Sequence, residues 1–192
     1  MGSSNSNGMP QAGQDRSLFA LVIYIPDPLG RFLDDLRREL VPGCNPHAHV
    51  SVLPPRPLSV DVRSACEQAR LIAEEFHPFD VEAGEIEIFP TTNVVYINLA
   101  RGSEELRGMH RTMNRDGLGF QEPFSYHPHI TLAQEISPAQ VPQLVELAKR
   151  RWREFPGSRI FRAEHAVFVQ NSGDNQWVDL ANISLGAVSV PR

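Results

Sequence analysis

HVSV at residues 49–52 and HITL at residues 129–132 are two copies of one pattern: a histidine, an apolar residue, a hydroxyl residue and a second apolar residue. In a β-strand, side chains at positions i and i+2 lie on the same face. Each copy therefore predicts a strand that turns its histidine and its hydroxyl to one side and its apolar side chains into a core. On facing sheets, the two copies would place two imidazoles and two hydroxyls around one cavity.

The segments around these copies repeat the order helix, histidine strand, helix and hairpin. An apolar run at 18–25, stopped by Pro26-Asp27-Pro28, precedes the first amphipathic helix. We therefore predict the α+β class, with a bilobal, pseudo-twofold duplication. Its antiparallel sheets face each other across a central cleft, and its helices lie on the outside. One domain at 17–187 stands between a tail at 1–16, which is poor in apolar residues, and a tail at 188–192.

Finer details of this prediction come from capping and parity signals. We expect the second helix to start near Ser59, the third at Ser103, and the fourth at Ser137, where a serine precedes a proline. Apolar residues alternate at odd positions up to Ala83 and at even positions from Ile86, and this shift across Gly84 predicts a β-bulge. The late segments 159–169 and 176–185 are each predicted as one strand.

The composition narrows the function classes. The chain has 192 residues, of which 41% are hydrophobic, and a net charge of −5. One compact domain is expected, and an extended coating of nucleic acid is excluded because such binding needs many basic contacts. No apolar stretch approaches the roughly 18 residues of a membrane span. Cys44 and Cys66 suit the reducing cytoplasm better than a disulfide scaffold, and we expect a monomer there.

The repeated residues suit the chemistry of a phosphodiester. Imidazole titrates near neutral pH, so one of His49 and His129 can take a proton from the attacking oxygen while the other gives one to the leaving oxygen. The sequence leaves open which ring is the acid and which is the base. The hydroxyls of Ser51 and Thr131 can donate hydrogen bonds to phosphate oxygens as negative charge gathers on them. A strained 2′,3′-cyclic phosphate then needs no metal or other cofactor.

These motifs, with ALVIYIPDP at 20–28 and PFSYHPHITLA at 123–133, resemble the 2H phosphoesterase superfamily, in particular its 2′-5′ RNA ligase and cyclic phosphodiesterase branch. The resemblance covers roughly residues 17–187. It implies a nucleotide or RNA end as substrate and metal-independent action on 2′,3′-cyclic or 1″,2″-cyclic phosphates or on 2′-5′ linkages, with ligation as the reverse reaction. It also implies catalytic roles for His49 and His129, and phosphate binding by Ser51 and Thr131.

Two positions depart from the family pattern. Gln134 stands where many members carry arginine two residues after the second motif, so a phosphate-binding charge is either absent or supplied by Arg56. The first motif also continues into Pro54-Pro55-Arg56 instead of a loop that contains an aromatic residue. Aromatic side chains can stack on an unpaired base, although they can also pack in the core. The candidates for the wall of the cleft are His47, His127, Phe124 and Tyr126.

Two other functions stay open on the sequence alone. The glutamine at 134 favours a module that binds nucleotides or RNA ends with little turnover. The pairs His47-Ala48-His49 and His127-Pro128-His129 favour a metallohydrolase, because histidines two apart on a strand can bind zinc. No acidic or cysteine ligand at a workable position accompanies them, so we predict no metal-binding residues.

Overall fold

The computed structural model describes residues 17–173 and 176–186. The predicted tails at 1–16 and 188–192, and residue 187, lie outside the described residues. The helices and strands follow in the order β1 (Phe19–Tyr24), α1 (Leu29–Leu40), β2 (His49–Arg56), α2 (Val62–Ala73), β3 (Phe79–Ile88), β4 (Val95–Arg101), α3 (Ser103–Met113), a 3-10 turn (Asp116–Leu118), β5 (Ile130–Ala133), α4 (Val141–Glu154), β6 (Ile160–Ala163), β7 (His165–Asn171) and β8 (Trp177–Ser184). Over this part of the chain, no helix combines the length and the apolar character needed to cross a membrane.

The strands of the described chain form two antiparallel sheets. The first has the order β2-β1-β7-β8 and the second the order β5-β4-β3-β6, so each sheet takes strands from both halves of the chain. β2 starts at His49 and β5 starts directly after His129, and each forms one edge of its sheet. The two edge strands lie against each other. The predicted α+β class with its antiparallel sheets is confirmed.

The helices hold these edge strands in place through apolar stripes. In α1, Leu29, Leu33, Leu36 and Leu40 recur at helical spacing and are buried, and each such burial stabilises the fold by about 1.5–3 kcal/mol. Helix α1 packs on β5 and on α4, whereas α3 packs on β2 and on α2. The helix that precedes one histidine strand therefore covers the other one, and this exchange ties the two halves together.

The segment predicted as one strand at 159–169 is two strands in different sheets, which corrects that prediction. β6 pairs with β3, and β7 pairs with β1. The change of sheet falls at Glu164 and His165, two consecutive exposed residues, whereas buried and more exposed residues alternate from Ile160 to Glu164 and from His165 to Phe168. No glycine or proline marks this point, so the break in alternation was the available signal.

Two helix starts also differ from the predictions. Helix α2 begins at Val62 rather than near Ser59, because the Asp61 carboxylate accepts the Ser64 N–H at 3.0 Å and caps the helix. Helix α4 begins at Val141, since the segment from Ser137 forms only a turn in which the Gln140 N–H donates to the Ser137 carbonyl at 2.9 Å. Helix α3 begins at Ser103 as predicted.

The bulge predicted at Gly84 is confirmed. Three steps along β3 from Ala83 to Ile86 match two steps along β4 from Leu99 to Ile97. A Cβ at position 84 would displace the Asn98 side chain, whose Oδ1 accepts the Glu85 N–H at 2.9 Å, so glycine preserves this contact. The Trp152 indole N–H donates to the Gly84 carbonyl at 2.9 Å and satisfies a group that the bulge takes out of the ladder.

Candidate active site

The two motif histidines are anchored by the same local hydrogen bond. His49 Nδ1 lies 2.7 Å from the carbonyl oxygen of His47, and His129 Nδ1 lies 2.7 Å from that of His127. A carbonyl oxygen only accepts hydrogen bonds, so each Nδ1 must carry the proton. The Nε2 atom of each ring is therefore the one left to exchange protons, and the tautomer is the same in both motifs.

Each motif strand turns its histidine and its hydroxyl residue to one face. In both motifs the histidine and the hydroxyl residue are half-buried, while the two apolar residues are buried. In the ladders, Tyr24 lies opposite His49 and Tyr96 lies opposite Thr131. Opposite residues of an antiparallel pair share a face. Each sheet thus presents a histidine, a hydroxyl and a tyrosine together, as the sequence predicts for the first two.

Burial and nearby positive charge keep His49 neutral. The pKa of His49 is lowered to about 4, mainly by burial, and the charges of Arg37, His47 and His129 contribute to this shift. The hydrogen bond to the His47 carbonyl works in the opposite direction. The charge of His129 thus acts on His49 across the gap between the two motifs. The packing of β2 against β5 brings the two motifs together.

His129 has a more aromatic environment. Its ring meets the rings of Phe89 and Tyr96 edge to face, with centroids 5.0 Å and 5.3 Å away. Burial lowers the pKa of His129, the hydrogen bond to the His127 carbonyl raises it, and the charge of His127 lowers it. The pKa shift of His129 therefore has the same direction as that of His49.

The comparison with known families fits this arrangement. The sequence profile of the 2′-5′ RNA ligase superfamily matches residues 25–175, which include both motifs. The chain belongs to the 2′-5′ RNA ligase superfamily. The resemblance to 2H phosphoesterases that the two motifs carry is thereby confirmed.

Individual relatives of the superfamily are distant. The chain is 28% identical over 90 residues to a Bacillus cytotoxicus protein named as a phosphoesterase, and this match spans 46% of the chain and only about half, 51%, of that relative. A Bacillus mycoides protein of the same name is 26% identical over 134 residues, which span 65% of the chain and 76% of the relative.

Solved structures share the fold of the superfamily. The crystal structure of E. coli LigT complexed with 3′-AMP matches with a TM-score of 0.62 and 16% identity, over 88% of this chain and 98% of LigT. A conserved Agrobacterium tumefaciens protein of unknown function matches with a TM-score of 0.54 and 15% identity, over 85% of this chain and 84% of that one. At such identities the likeness concerns the fold alone.

Two tyrosine–carboxylate pairs beside the motifs were not predicted from the sequence. The Tyr24 hydroxyl donates to Asp179 at 2.6 Å, and the Tyr96 hydroxyl donates to Glu87 at 2.8 Å. Burial, and then the bond to the carboxylate, raise the pKa of Tyr24, and the same causes raise the pKa of Tyr96 to about 12. Both phenols therefore stay protonated. Asp179 lies 155 residues from Tyr24 in the chain, so only the sheet topology shows that pair. Glu87 lies directly opposite Tyr96 in the hairpin of β3 and β4, so the register of that hairpin was the available signal for the second pair.

The histidines that precede the motif residues rest on aromatic rings. The His47 ring stacks on Tyr24 with centroids 3.6 Å apart, and His127 meets Phe89 edge to face at 5.4 Å. Burial lowers the pKa of His127, and the charge of Arg107 lowers it further. Within residues 17–173 and 176–186, no three His, Cys, Asp or Glu side chains are grouped so that they could hold a metal ion.

Arg56 does not supply the phosphate-binding charge, which corrects that hypothesis. Its side chain is 1% exposed and forms a buried ion pair with Glu122. Its other donors bond to the Pro54 carbonyl at 2.9 Å, to Asn114 Oδ1 at 2.8 Å and to the Leu118 carbonyl at 3.2 Å. Four of the five N–H donors of this arginine are thus engaged inside the protein, and the buried side chain cannot reach a substrate.

Two other arginines lie near the histidines. Arg37 on α1 acts on His49 through its charge. Arg107 on α3 acts on His127 in the same way and donates to the Tyr126 carbonyl at 3.3 Å. In the sequence, both stand among the charged residues between the apolar positions of an amphipathic helix, so no local signal singled them out.

The remaining predicted cleft residues differ in their exposure. The Tyr126 side chain is half-buried, and its hydroxyl donates to the Ser51 carbonyl at 2.7 Å, which places it directly beside the first motif. Phe124 is 61% exposed, so core packing is excluded for it and stacking on a base stays a prediction. Gln134 is exposed just past the end of β5.

Proposed function

We propose that this protein is a phosphoesterase that opens a 2′,3′-cyclic phosphodiester at the end of an RNA or nucleotide, with His49 and His129 as an acid–base pair. The observation that carries the proposal is the shared anchoring of the two rings. Each Nδ1 is held by a carbonyl two residues earlier, so two Nε2 atoms on adjoining edge strands are free for proton transfer. Membership of the 2′-5′ RNA ligase superfamily supports this chemistry.

The hydrolytic step consumes one water. One imidazole Nε2 takes a proton from the water as its oxygen forms a bond to phosphorus. The bond from phosphorus to one ribose oxygen breaks, and the other imidazole gives a proton to that oxygen. The product is a phosphomonoester with a free neighbouring hydroxyl. If a ribose hydroxyl attacks instead of water, the same proton transfers give a 2′-5′ linkage.

The two histidines suit different roles in this step. The base must start neutral and the acid must start protonated. His49, whose pKa is lowered to about 4, suits the base. His129, whose pKa is also lowered by burial but without the arginine charge that acts on His49, suits the acid. The bound phosphate monoanion favours the protonated form of a nearby imidazole.

The groups around the phosphate stabilise developing charge. Ser51 and Thr131 stand on the same faces as the histidines and can donate to non-bridging oxygens. Arg37 and Arg107 supply positive charge near the motifs, in place of the arginine that many family members carry at the position of Gln134. The structures of LigT, which hold 3′-AMP in one case and NADP+ in another, support a nucleotide as the ligand class.

A substrate panel tests the proposal. We expect turnover of 2′,3′-cyclic nucleotides, ADP-ribose 1″,2″-cyclic phosphate or 2′-5′ oligonucleotides, with activity unchanged by a chelator. The pH dependence of kcat/KM should be bell-shaped with its optimum below pH 6.5, because the pKa values of both histidines are lowered. Loss of activity in chelator, restored by added metal, would instead favour the metallohydrolase. Absence of turnover on the whole panel would contradict the proposal.

A binding module with little turnover is the second candidate function. The exposed Gln134 and the engaged Arg56 favour it, because neither supplies the charge that would stabilise a phosphorane-like transition state. Calorimetry with 2′-AMP and 3′-AMP, together with product analysis of the cyclic nucleotides, separates the two functions. Tight binding without product supports the module, whereas rapid turnover excludes it.

A further inference from the structure

The edge strand β2 is held by one side chain from α3 and one from the segment that leads into β5. The Tyr126 hydroxyl donates to the Ser51 carbonyl at 2.7 Å, and His110 Nδ1 lies 2.9 Å from the Val52 carbonyl. From Leu21 to Val22, β1 advances one residue while β2 retreats two, from Leu53 to Ser51. The ladder therefore has a bulge at Val52, and its carbonyl needs a partner from outside the sheet.

A buried polar network stands behind these two bonds. The rings of His110 and Tyr126 stack with centroids 3.9 Å apart and an angle of 2° between their planes. His110 Nε2 lies 3.6 Å from Glu122, which is paired with the buried Arg56. The side chain of Asn114 joins the network by accepting from Arg56 at 2.8 Å and from the Phe120 N–H at 2.8 Å. The tyrosine is therefore fixed by stacking and by a satisfied network rather than by one contact.

The position of Tyr126 in the chain gives this network a consequence for the site. Tyr126 stands three residues before His129, and its partner Ser51 stands two residues after His49. The bond between them is thus a direct link between the two motifs. Catalytic groups must be held within about 0.5 Å of their productive positions, and a displacement of about 1 Å can lower a rate about a hundredfold.

We propose that Tyr126 is a positioning residue that sets the separation of the two motif histidines by tying the backbone of Ser51 to the segment before His129, with His110, Glu122 and Arg56 holding its ring in place. The inference rests on the proposed function, since the separation matters for activity only if both rings act on one phosphate. It assigns Tyr126 to the geometry of the site rather than to contact with a base.

A single-atom change tests this role. Tyr126→Phe keeps the ring that stacks on His110 and removes only the hydroxyl. We expect kcat for a 2′,3′-cyclic nucleotide to fall about tenfold, with KM unchanged within about twofold. The matched control is Ser103→Ala, which removes another half-buried hydroxyl bonded to a strand carbonyl, that of Leu99 at 3.1 Å. The melting temperatures of the two variants should fall by similar amounts, but only Tyr126→Phe should lose activity.

A double-mutant cycle separates positioning from general stability. If Tyr126 acts by positioning the motif histidines, then Tyr126→Phe should lower the residual kcat by less than about threefold in a His49→Ala background, because a group that it positions is already gone. The inference is overturned if Tyr126→Phe keeps kcat within twofold, or if its effect is the same in both backgrounds.

Imidazole NMR keeps this test independent of turnover. In the ¹H–¹⁵N spectrum of the wild-type protein, the ring signals of His49 and His129 can be followed during a pH titration. We expect both sets to move in Tyr126→Phe and neither to move in Ser103→Ala. Moved signals in a protein that turns over no cyclic phosphate would contradict the proposed function and leave the link intact. Unmoved signals and unchanged kcat in an active enzyme would contradict the link alone.

Discussion

The two histidine strands hold their rings alike but lie in different surroundings. In both, Nδ1 is anchored to a carbonyl two residues earlier at 2.7 Å. The eight-residue β2 has its bulge held by side chains and ends at a buried ion pair. The four-residue β5 instead pairs with β4 beside the rings of Phe89 and Tyr96. The two copies therefore share the hydrogen bond that orients the histidine ring and differ in the groups around that ring.

The different surroundings act on the pKa values of the two equivalent imidazoles, His49 and His129. His49 lies within reach of the charges of Arg37 and His47, whereas the ring of His129 is flanked by the edges of aromatic rings. An acid and a base that share one reaction work best when their environments push their pKa values apart. The unequal surroundings provide such a difference without any change in the motif itself.

Removal of either ring tests whether the two strands act as one unit and should have the largest effect. We expect His49→Ala and His129→Ala each to lower kcat/KM for the best cyclic substrate about 10²–10⁴-fold. Because the rings serve a single step, the double variant should be little worse than the poorer single variant. The measurement is product formation by chromatography.

The matched control for this pair is His165→Ala. His165 is exposed on β7, and its loss should leave kcat/KM within about twofold. If both motif variants kept near wild-type turnover, the similarity of the two strands would have no role in catalysis, and the proposed function would be wrong.

The buried ion pair of Arg56 and Glu122 lies at the end of β2, so its contribution to the free energy of unfolding tests one difference between β2 and β5. Arg56→Met leaves Glu122 buried without its partner and should lower the free energy of unfolding by about 3–5 kcal/mol. Arg162→Met removes an exposed ion pair with Asp80 and should cost about 0–1 kcal/mol. Urea unfolding of the two variants at pH 7 compares them directly.

A second substitution checks whether the unpaired charge of Glu122 causes the loss of stability in Arg56→Met. In Arg56→Met with Glu122→Leu, no charge is left unpaired, so part of the lost stability should return. A double variant less stable than Arg56→Met would show that hydrogen bonds of Glu122, rather than its unpaired charge, dominate the loss.

The hydroxyls test whether the duplication extends to phosphate binding. Ser51→Ala and Thr131→Ala should each lower kcat about 10–10²-fold, since each removes one donor to charge that develops in the transition state. Thr131→Ser keeps the donor and should stay within about threefold of wild type. Steady-state kinetics on one cyclic nucleotide suffices. An effect confined to one strand would show that only one hydroxyl meets the phosphate.

The sequence predicted the parts of this molecule that depend on local pattern. The alternation in HVSV and HITL gave the strands, the shared face and the four motif residues, because side-chain direction in a strand follows from position alone. The slip of parity at Gly84 predicted its bulge for the same reason. The α+β class followed from the order of the elements.

What the sequence did not predict depends on contacts between distant segments. The pairing of Tyr24 with Asp179 follows from the order of strands in the first sheet. Arg56 could be placed at the end of a strand, but whether it faces the cleft or Glu122 depends on how residues 114–122 fold back. The change of sheet at Glu164 lacks a turn residue. In each case the deciding partner lies far along the chain.

The pH dependence of the free energy of unfolding also compares His49 with His129, and here we expect the smallest effect. The pKa of folded His49 is lowered from 6.5 to about 4, so protonation favours the unfolded chain. The contribution of His49 to stability is present in full above pH 6.5 and is lost as the pH falls toward 4. The ring is partly exposed, so we expect a loss of about 1 kcal/mol per pH unit, below the limit of about 1.4 for one proton.

Substitution isolates this contribution from those of the carboxylates. His49→Gln cannot take up the proton, so its free energy of unfolding should change less steeply than that of the wild type between pH 6 and pH 4.5. His129→Gln should flatten the curve as well, but less, because the pKa of His129 is lowered to a smaller extent. Urea unfolding at four pH values measures the three slopes. Equal flattening by both variants would show that the surroundings of β2 and β5 do not separate the two histidines, and would remove the basis for assigning the base to His49.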